Sequence, residues 1–199
     1  GKLVERITAR VPQHPIAVSG ITADRLATIG QDPSHIRRIP NGIDYEEVRD
    51  TTPADDGFDV LFAGRLIEDK RVDLLLNAFD AVADDHTLCI VGDGPKRADL
   101  EAQAEGLDSA DRITFTGFLE DYEDVLAKMR AARIFASPST REGFGITAVE
   151  AMAAGCLVIG ANHPESAVDE VIDGAGFLAD PTVDGVSDTL QRALEGERP

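Results

Sequence analysis

At 199 residues, 43% of them hydrophobic, the chain is long enough to form one large domain with a proper core. No apolar run reaches the ~18 residues of a membrane-spanning helix, and the first residues lack the hydrophobic centre of a signal peptide, so we expect a soluble, cytoplasmic protein. The 37 acidic residues outweigh the 19 basic ones and give a formal net charge of −18. This charge argues against a nucleic-acid or anionic-lipid surface, because both kinds of surface need clustered Lys and Arg.

Short β-branched runs alternate with amphipathic segments along the chain. The predicted strands cover residues 16–18, 36–39, 59–63, 87–91, 112–115, 133–136, 157–160 and 176–178. The predicted helices cover residues 20–29, 71–83, 95–105, 121–130, 145–154, 165–173 and 183–195. Continuous apolar strands separated by helices predict a doubly wound, Rossmann-like parallel α/β sheet, with helices on both faces and ligands at the carboxyl ends of its strands.

The chain divides at a polar stretch, "YEEVRDTTPADDGF", which has no apolar period and contains Pro and Gly. We interpret residues 45–57 as a linker. Residues 1–44 before it are too few to bury a core, and we interpret them as the tail end of a preceding domain. Residues 58–181 form the main α/β domain, and residues 182–199 form a C-terminal helix.

The acidic residues are spread along the chain rather than gathered in a tail, and only four of the basic residues are Lys. This composition is typical of a halophilic protein, whose acidic surface maintains solubility while salt screens repulsion over ~3 Å at 1 M. The alternative is an acidic mesophilic protein, which the scarcity of Lys disfavours without excluding. Cys89 and Cys156 lie in apolar runs without a CxxC partner, so we interpret them as small buried hydrophobes rather than a disulfide or a metal site.

The first strand-to-helix turn of the main domain, in "FAGRLIEDKRVDLLL", carries Arg65 directly after Gly64, and Lys70 at the start of the next helix. Free backbone N–H groups and the helix dipole meet at such turns and favour anions. The planar fork of Arg and the point charge of Lys together suit a diphosphate. Composition supports one alternative equally well, which is that both cations pair on a solvated face with acidic neighbours: Glu68, Asp69 or Asp73.

The second turn, in "CIVGDGPKRADL", has the glycine pair Gly92 and Gly94 between strand and helix. Arg97 stands where a dinucleotide fingerprint would need its third glycine, and no acidic residue is clearly placed ~20 residues further on. No P-loop sequence occurs in the chain. We therefore interpret the pair as turn glycines beside a ligand crevice, and the pattern disfavours an NAD-dependent oxidoreductase.

The third turn, in "PSTREGFGITAVEAMAAG", combines two carboxylates with two glycines. Gly143 and Gly145 allow a ligand to approach the backbone where the next helix begins. Glu142 repels a phosphate but accepts hydrogen bonds, so a sugar hydroxyl is its natural partner. Glu150 stands alone among apolar residues of the helix, where burial requires donors such as ribose hydroxyls. The alternative for Glu150 is a position at the helix rim, solvated or paired with an Arg.

Four stretches in this order and spacing, "GRLIEDK", "VGDGP", "FTGFLE" and "PSTREGFGITAVEAMAAG", resemble the second, nucleotide-sugar-binding domain of retaining glycosyltransferases of the GT-B fold. The closest type is glycosyltransferases group 1, also called GT4. The resemblance covers roughly residues 16–181, and the spacing of Glu142 and Glu150 is specific in this context. Two departures affect loop shape and sugar preference: Leu157 stands where the family usually has Pro, and "NHPES" stands where it often has a Gly pair.

The resemblance implies a role for each site residue. Arg65 and Lys70 match the cations that hold the donor diphosphate and stabilise the leaving nucleoside diphosphate in place of a metal ion, so we expect no metal and no other cofactor. Glu142 matches the acid that contacts the donor sugar, and with those two cations it forms the candidate catalytic set. Glu150 matches the acid that binds the ribose. The remaining candidate donor contacts are Gly64 beside Arg65, Phe118 and Leu119 near the base, and Gly143, Phe144, Gly145 and Ile146 around sugar and phosphate.

The implied substrate is a UDP-, GDP- or ADP-sugar. The acceptor is unknown, because the domain that binds it in this family would be represented only by residues 1–44. On the same resemblance, residues 58–181 are the donor-binding half. The helix over 182–199 is truncated before the point where the chain in this family usually crosses back to the first domain. We expect this piece alone to be inactive in transfer, and any membrane association to come from the other domain. The alternative is a non-catalytic nucleotide-binding or interaction module on the same fold.

Overall fold

Parallel strands form the framework of the chain, which the computed structural model describes for residues 14–199. The strands in chain order are β1 (Ile16–Ala17), β2 (Arg37–Arg38), β3 (Val60–Ala63), β4 (Leu88–Val91), β5 (Ile113–Gly117), β6 (Ile134–Ser137), β7 (Leu157–Ala161) and β8 (Phe177–Ala179). β1 pairs with β2, and the other strands form one six-stranded parallel sheet in the order β5-β4-β3-β6-β7-β8. Residues 1–13, and with them part of the predicted 1–44 segment, lie outside the described residues.

Helices connect the strands and cover the larger sheet. They are α1 (Gly20–Thr28), α2 (Tyr45–Asp50), α3 (Val72–Asp80), α4 (Arg97–Glu105), α5 (Tyr122–Ala131), α6 (Ile146–Ala154), α7 (Val168–Ile172) and α8 (Val183–Leu194). Every strand and helix predicted within the described residues is present, with ends that agree to within three residues. In residues 14–199 no helix combines the length and the apolar character that crossing a membrane requires.

Two apolar layers sandwich the six-stranded sheet. Val60 and Phe62 of β3 lie in a core cluster with α3 and α8, while Leu61 and Ala63 of the same strand lie in a second cluster with α5 and α6. Successive side chains of a strand point to opposite faces, so a strand that is apolar at every position needs cover on both sides. The doubly wound α/β fold predicted from these apolar runs is therefore confirmed.

The order of the strands fixes where a ligand can bind. From β3 the chain winds outward through β4 to β5, then returns to the centre at β6 and winds the other way through β7 to β8. The loops that follow β3 and β6 therefore diverge and leave a crevice beyond the carboxyl ends of these two strands. The first and third of the turns singled out in the sequence meet at this crevice.

The segment predicted as a linker, residues 45–57, begins with the helix α2. Its N-cap is Asp44, whose carboxylate accepts a hydrogen bond from the backbone N–H of Glu47 at 3.0 Å. Val48 is only 2% exposed and belongs to the core cluster that contains residues of α6. The sequence analysis did not predict this helix, because a single apolar residue shows no period. The Asp-x-x-Glu pattern at residues 44–47 is a helix-start signal that could have revealed it.

Both cysteines are free and buried, as the sequence analysis expected. The Sγ of Cys156 donates to the main-chain oxygen of Met129 at 3.0 Å. Burial raises the pKa of the Cys89 thiol to about 11 and that of the Cys156 thiol to about 12. The thiols therefore stay protonated near neutral pH and act as small core residues.

Candidate functional site

A cavity of about 460 Å³ lies at the carboxyl ends of β3 and β4. It is lined by residues 64–65 after β3, residues 92–93 after β4, residues 118–119 after β5, Tyr122 of α5 and Glu150 of α6. The cavity thus brings together five of the predicted donor contacts: Gly64, Arg65, Phe118, Leu119 and Glu150. Tyr122 is an addition that sequence reasoning missed, because a tyrosine inside the acidic stretch "LEDYED" carries no local signal.

Glu150 is a buried carboxylate inside this cavity wall, with 6% of its surface exposed. Burial raises its pKa, and a hydrogen bond donated by the Tyr122 hydroxyl offsets part of that rise. The same contact and the burial of the phenol raise the pKa of Tyr122 well above its usual range. Within residues 14–199 Glu150 forms no ion pair, so it is neither of the alternatives considered for it, a solvated rim residue or the partner of an Arg. The polar group that faces it is the neutral hydroxyl of Tyr122.

Lys70 and Glu142 meet across the crevice between the loops that follow β3 and β6. The Nζ of Lys70 lies 2.5 Å from Oε2 of Glu142, and both side chains are about one-fifth exposed. The turn that ends in Lys70 is tied to the loop after β6, because the backbone N–H of Thr140 donates to the carbonyl of Asp69 at 3.0 Å. The alternative pairing of Lys70 with an acidic neighbour on its own turn is therefore wrong, and its partner comes from the other wall of the crevice.

Arg65 is an exposed cation at the edge of the cavity. Within residues 14–199 its guanidinium forms no hydrogen bond and no ion pair, so the alternative that it pairs with Glu68, Asp69 or Asp73 is also wrong. Asp73 instead accepts a hydrogen bond from Arg71 at 3.1 Å. Arg65 is consequently available to an anion that enters from solvent.

Gly92 and Gly94 let the loop after β4 pack directly on the loop after β3. A Cβ atom at Gly92 would lie 1.9 Å from the carbonyl oxygen of Gly64, and one at Gly94 would lie 2.3 Å from that of Leu66. The two loops are joined by a hydrogen bond from the Leu66 N–H to the Asp93 carbonyl at 2.9 Å. The interpretation of the pair as turn glycines beside a crevice is confirmed.

The loop that carries Glu142 is held by its backbone. The N–H of Glu142 donates to the Glu165 carbonyl at 3.1 Å, and its own carbonyl accepts from the Ala167 N–H at 2.9 Å. Gly145, the N-cap of α6, has a φ of 92° in the left-handed region, which favours glycine. The first N–H groups of α6, which begins at Ile146, have no acceptor inside the helix and offer donors to a ligand.

Phe118 and Leu119 follow β5 at the rim of the cavity. Phe118 is 72% exposed, which is unusual for a large aromatic side chain. An exposed ring beside a cavity is a surface on which a flat aromatic ligand can stack. Of the remaining predicted donor contacts, Gly143 is exposed and Phe144 is half-buried on the loop after β6.

No group of three or more His, Cys, Asp or Glu side chains in the described part of the chain is arranged to hold a metal ion. The charged groups at the crevice include the free cation Arg65, the Lys70–Glu142 pair, the buried acid Glu150 and Asp93, which lines the cavity and pairs with Arg97 at 3.2 Å. A crevice at the switch point of a doubly wound sheet defines a ligand-binding α/β domain.

The family described as "Glycosyl transferases group 1" matches residues 44–199, which is most of the chain, so the chain belongs to this family. It is 36% identical over 130 residues to 2-deoxystreptamine glucosyltransferase of Streptomyces kanamyceticus, covering 64% of this chain and 33% of that protein. It is 32% identical over 136 residues to the GDP-mannose-dependent alpha-(1-6)-phosphatidylinositol dimannoside mannosyltransferase of Mycobacterium tuberculosis, covering 66% and 34%. The matched part of the chain therefore spans about a third of the length of these relatives.

Among solved structures, Anabaena HepE in complex with UDP and glucose matches the chain with a TM-score of 0.85 at 23% sequence identity. The match covers 98% of this chain and 58% of HepE. A likeness at this identity establishes the fold alone. It confirms the Rossmann-like α/β architecture that the sequence analysis predicted as part of a GT-B glycosyltransferase.

Proposed function

We propose that this chain is the donor-binding half of a retaining glycosyltransferase that uses a nucleoside-diphosphate sugar. The observation that carries the proposal is one cavity whose lining includes both an unpaired cation, Arg65, and a buried acid, Glu150. The Lys70–Glu142 pair is not part of that lining and lies between the loops after β3 and β6. A cation for phosphate and an acceptor for hydroxyls are the two features that a nucleotide requires of its site. The relatives named above as a glucosyltransferase and a GDP-mannose-dependent mannosyltransferase support it.

The nucleotide lies along the cavity from the rim to the crevice. The base contacts Phe118 and Leu119, and the ribose hydroxyls donate to Glu150 in addition to, or in place of, the Tyr122 hydroxyl. Arg65 then meets the diphosphate, and the first N–H groups of α6 add further donors. HepE, which was solved with UDP and glucose, has the same fold and supports a uridine nucleotide as the first to test.

Transfer breaks the bond between the anomeric carbon and the diphosphate oxygen, and the leaving oxygen keeps the bonding electron pair. The acceptor hydroxyl oxygen forms the new bond to the same carbon, and its proton passes to the leaving diphosphate. Arg65, which is unpaired, and Lys70, which is partly buried, stabilise the negative charge that develops on the leaving oxygen. Glu142 accepts hydrogen bonds from the donor sugar and orients its reacting face. Retention at the anomeric carbon and independence of a metal ion belong to the proposal through the resemblance to the family.

The acceptor and the complete activity belong to the whole enzyme, because the curated relatives are about twice as long as this chain. We propose that this chain binds the donor, that the remaining part of the enzyme binds the acceptor, and that transfer requires both. The base of the donor is one of uracil, guanine and adenine.

Calorimetric titration of this chain in molar KCl with UDP, GDP, ADP and NAD tests the proposal. Saturable binding of one nucleoside diphosphate is expected, with Arg65→Ala costing about 1.5–3 kcal/mol, the value of a hydrogen bond to a charged group. Arg49→Ala is the matched control, because Arg49 is an exposed arginine that pairs with Asp50 outside the cavity. Binding of NAD alone, or equal losses in both variants, contradicts the proposal.

A further inference from the structure

The helix α1 is attached to α7 at its N-terminus, on the side of the crevice that carries Glu142. The backbone N–H of Gly20 lies 2.9 Å from both carboxylate oxygens of Glu170, and the N–H of Ile21 lies 3.3 Å from Oε1. Arg38 of β2 adds an ion pair to the same carboxylate at 3.4 Å. Glu170 therefore caps a helix 150 residues away in sequence, where the dipole of α1 favours a negative charge.

Ser19, the N-cap of α1, attaches the same helix to the glycine loop. Its Oγ lies 2.7 Å from the carbonyl oxygen of Gly143, and the residue is 3% exposed. A carbonyl only accepts, so the Ser19 hydroxyl must donate its single proton to Gly143. The lone pairs of Oγ are then left to accept the N–H of Thr22 at 3.1 Å, which completes the cap of the helix.

The two attachments act on adjacent residues of one loop. Glu142 is joined on both sides to residues 165–167 by backbone hydrogen bonds, and α7 begins at the next residue, Val168. Glu170 on that helix then reaches α1, while Gly143 reaches α1 directly through Ser19. The main chain of Glu142 and Gly143 is therefore connected to α1 at two points, directly through Ser19 and indirectly through α7 and Glu170.

The atoms around Gly20, where Glu170 contacts α1, are packed tightly, whereas the space around Gly143 is open. A Cβ atom at Gly20 would lie 2.8 Å from Oε1 of Glu170 and 3.3 Å from the guanidinium of Arg38. A Cβ atom at Gly143 would meet only Thr22, at an ordinary 3.7 Å. The Glu170 contact thus fixes where α1 sits, and the Ser19 contact fixes the loop relative to α1.

We propose that Ser19 and Glu170 are positioning residues that hold the Glu142–Gly143 main chain so that the Glu142 carboxylate reaches Lys70 and the donor sugar. The part about the sugar rests on the proposed function. Both contacts come from residues 19–21 and 38, which precede the segment that the family profile matches. The segment before the main domain therefore takes part in shaping the sugar end of the site.

Two binding constants separate this role from a general structural one. Ser19→Ala and Glu170→Gln are titrated in molar KCl with the nucleoside diphosphate that the wild-type chain binds and with its nucleotide sugar. The dissociation constant for the sugar form should rise about fivefold, the effect of losing one ordinary hydrogen bond, while that for the diphosphate stays within about twofold. Ser19→Thr, which keeps the hydroxyl, should restore the wild-type ratio. If the ratio of the two dissociation constants in Ser19→Ala and Glu170→Gln equals that of the wild-type chain, the proposal is overturned, whether or not both ligands bind more weakly.

Amide hydrogen exchange gives a readout that does not depend on any nucleotide. Both variants should exchange faster at residues 142–146 than the wild-type chain, with the other loops of the crevice unchanged. The matched controls are Ser187→Ala, on α8 where the serine is half-buried, and Glu105→Gln, at the exposed end of α4. If the wild-type chain binds no nucleotide but exchange responds as described, the proposed function fails and the positioning role stands. Exchange at 142–146 that matches the controls overturns the positioning role.

Discussion

Tyr122 of α5 and Glu150 of α6 both line the cavity, and the Tyr122 hydroxyl lowers the pKa of the Glu150 carboxyl, which burial raises. Within residues 14–199 this buried carboxylate therefore faces a hydroxyl rather than a cation. A carboxylate offers about four lone-pair positions, so Glu150 can keep this donor and still accept ribose hydroxyls. Nucleotide binding should therefore depend on whether the Glu150 carboxyl is ionised.

Nucleotide binding should weaken as the pH falls. Burial raises the folded-state pKa of Glu150, so the carboxylate is protonated at a higher pH than an exposed Glu, and a protonated acid loses acceptor capacity for the ribose. Calorimetric titration of the diphosphate between pH 4.5 and pH 8 measures this, with Glu150→Gln as the comparison. The Gln variant should bind weakly and lose the part of the pH dependence that belongs to Glu150. An identical pH profile in both proteins contradicts the assignment.

The same residue should make stability depend on pH in a defined direction. The folded state binds a proton at Glu150 more readily than the unfolded state, because the folded pKa is raised. The free energy of unfolding therefore falls as the pH rises from the pKa of Glu150 in the unfolded state to its pKa in the folded state. Above the folded-state pKa the full destabilisation is present. Urea unfolding at pH 4 and pH 7 should show that Glu150→Gln gains free energy of unfolding relative to wild type on going to pH 7. Glu105→Gln, an exposed control, should show no such gain.

Glu142 and Lys70 should influence diphosphate binding in opposite directions. Glu142→Gln releases Lys70 from its ion pair and removes a negative charge beside the phosphate, so the diphosphate should bind more tightly by up to about fivefold, the equivalent of about 1 kcal/mol for a partly exposed pair. Lys70→Ala should weaken binding. The affinity for the nucleotide sugar should not improve in Glu142→Gln, since an acceptor for its hydroxyls is lost. Weaker diphosphate binding in Glu142→Gln argues against Lys70 as a phosphate ligand.

The strands and helices of this fold other than α2 were predictable because each is specified locally. Strands such as Val60–Ala63 are apolar at every position, and amphipathic segments separate them, so the sequence alone indicates a covered parallel sheet. The pairs that shape the site depend on long-range contacts and were not predictable. Lys70 and Glu142 are 72 residues apart, and Ser19 and Gly143 are 124 apart. Periodicity indicates which face of an element is buried, but not which side chain lies opposite.

Gly92→Ala should destabilise the protein strongly. The added Cβ would lie 1.9 Å from the Gly64 carbonyl, and the residue has a φ of 128°, which other residues rarely adopt. Steric overlap and backbone strain together should cost about 3 kcal/mol or more. Denaturant unfolding in molar KCl measures the loss. Gly106→Ala is the control, because its Cβ would meet only an ordinary contact at 3.4 Å and its φ is −89°; equal losses in the two variants would show that the loop after β4 can move away.

Salt should stabilise the chain well beyond what is usual for a protein of this size. A net charge of −18 on 199 residues creates self-repulsion that grows as the chain compacts, and raising the salt from 0.1 M to 1 M shortens the screening distance from about 10 Å to about 3 Å. The melting temperature should therefore rise steadily with KCl over this range. Replacing the exposed pair Asp84 and Asp85 by Asn should raise the melting temperature at low salt and have less effect at high salt, because it removes repulsion that salt otherwise screens. A melting temperature that is independent of KCl would show that the acidic surface is not an adaptation to concentrated salt.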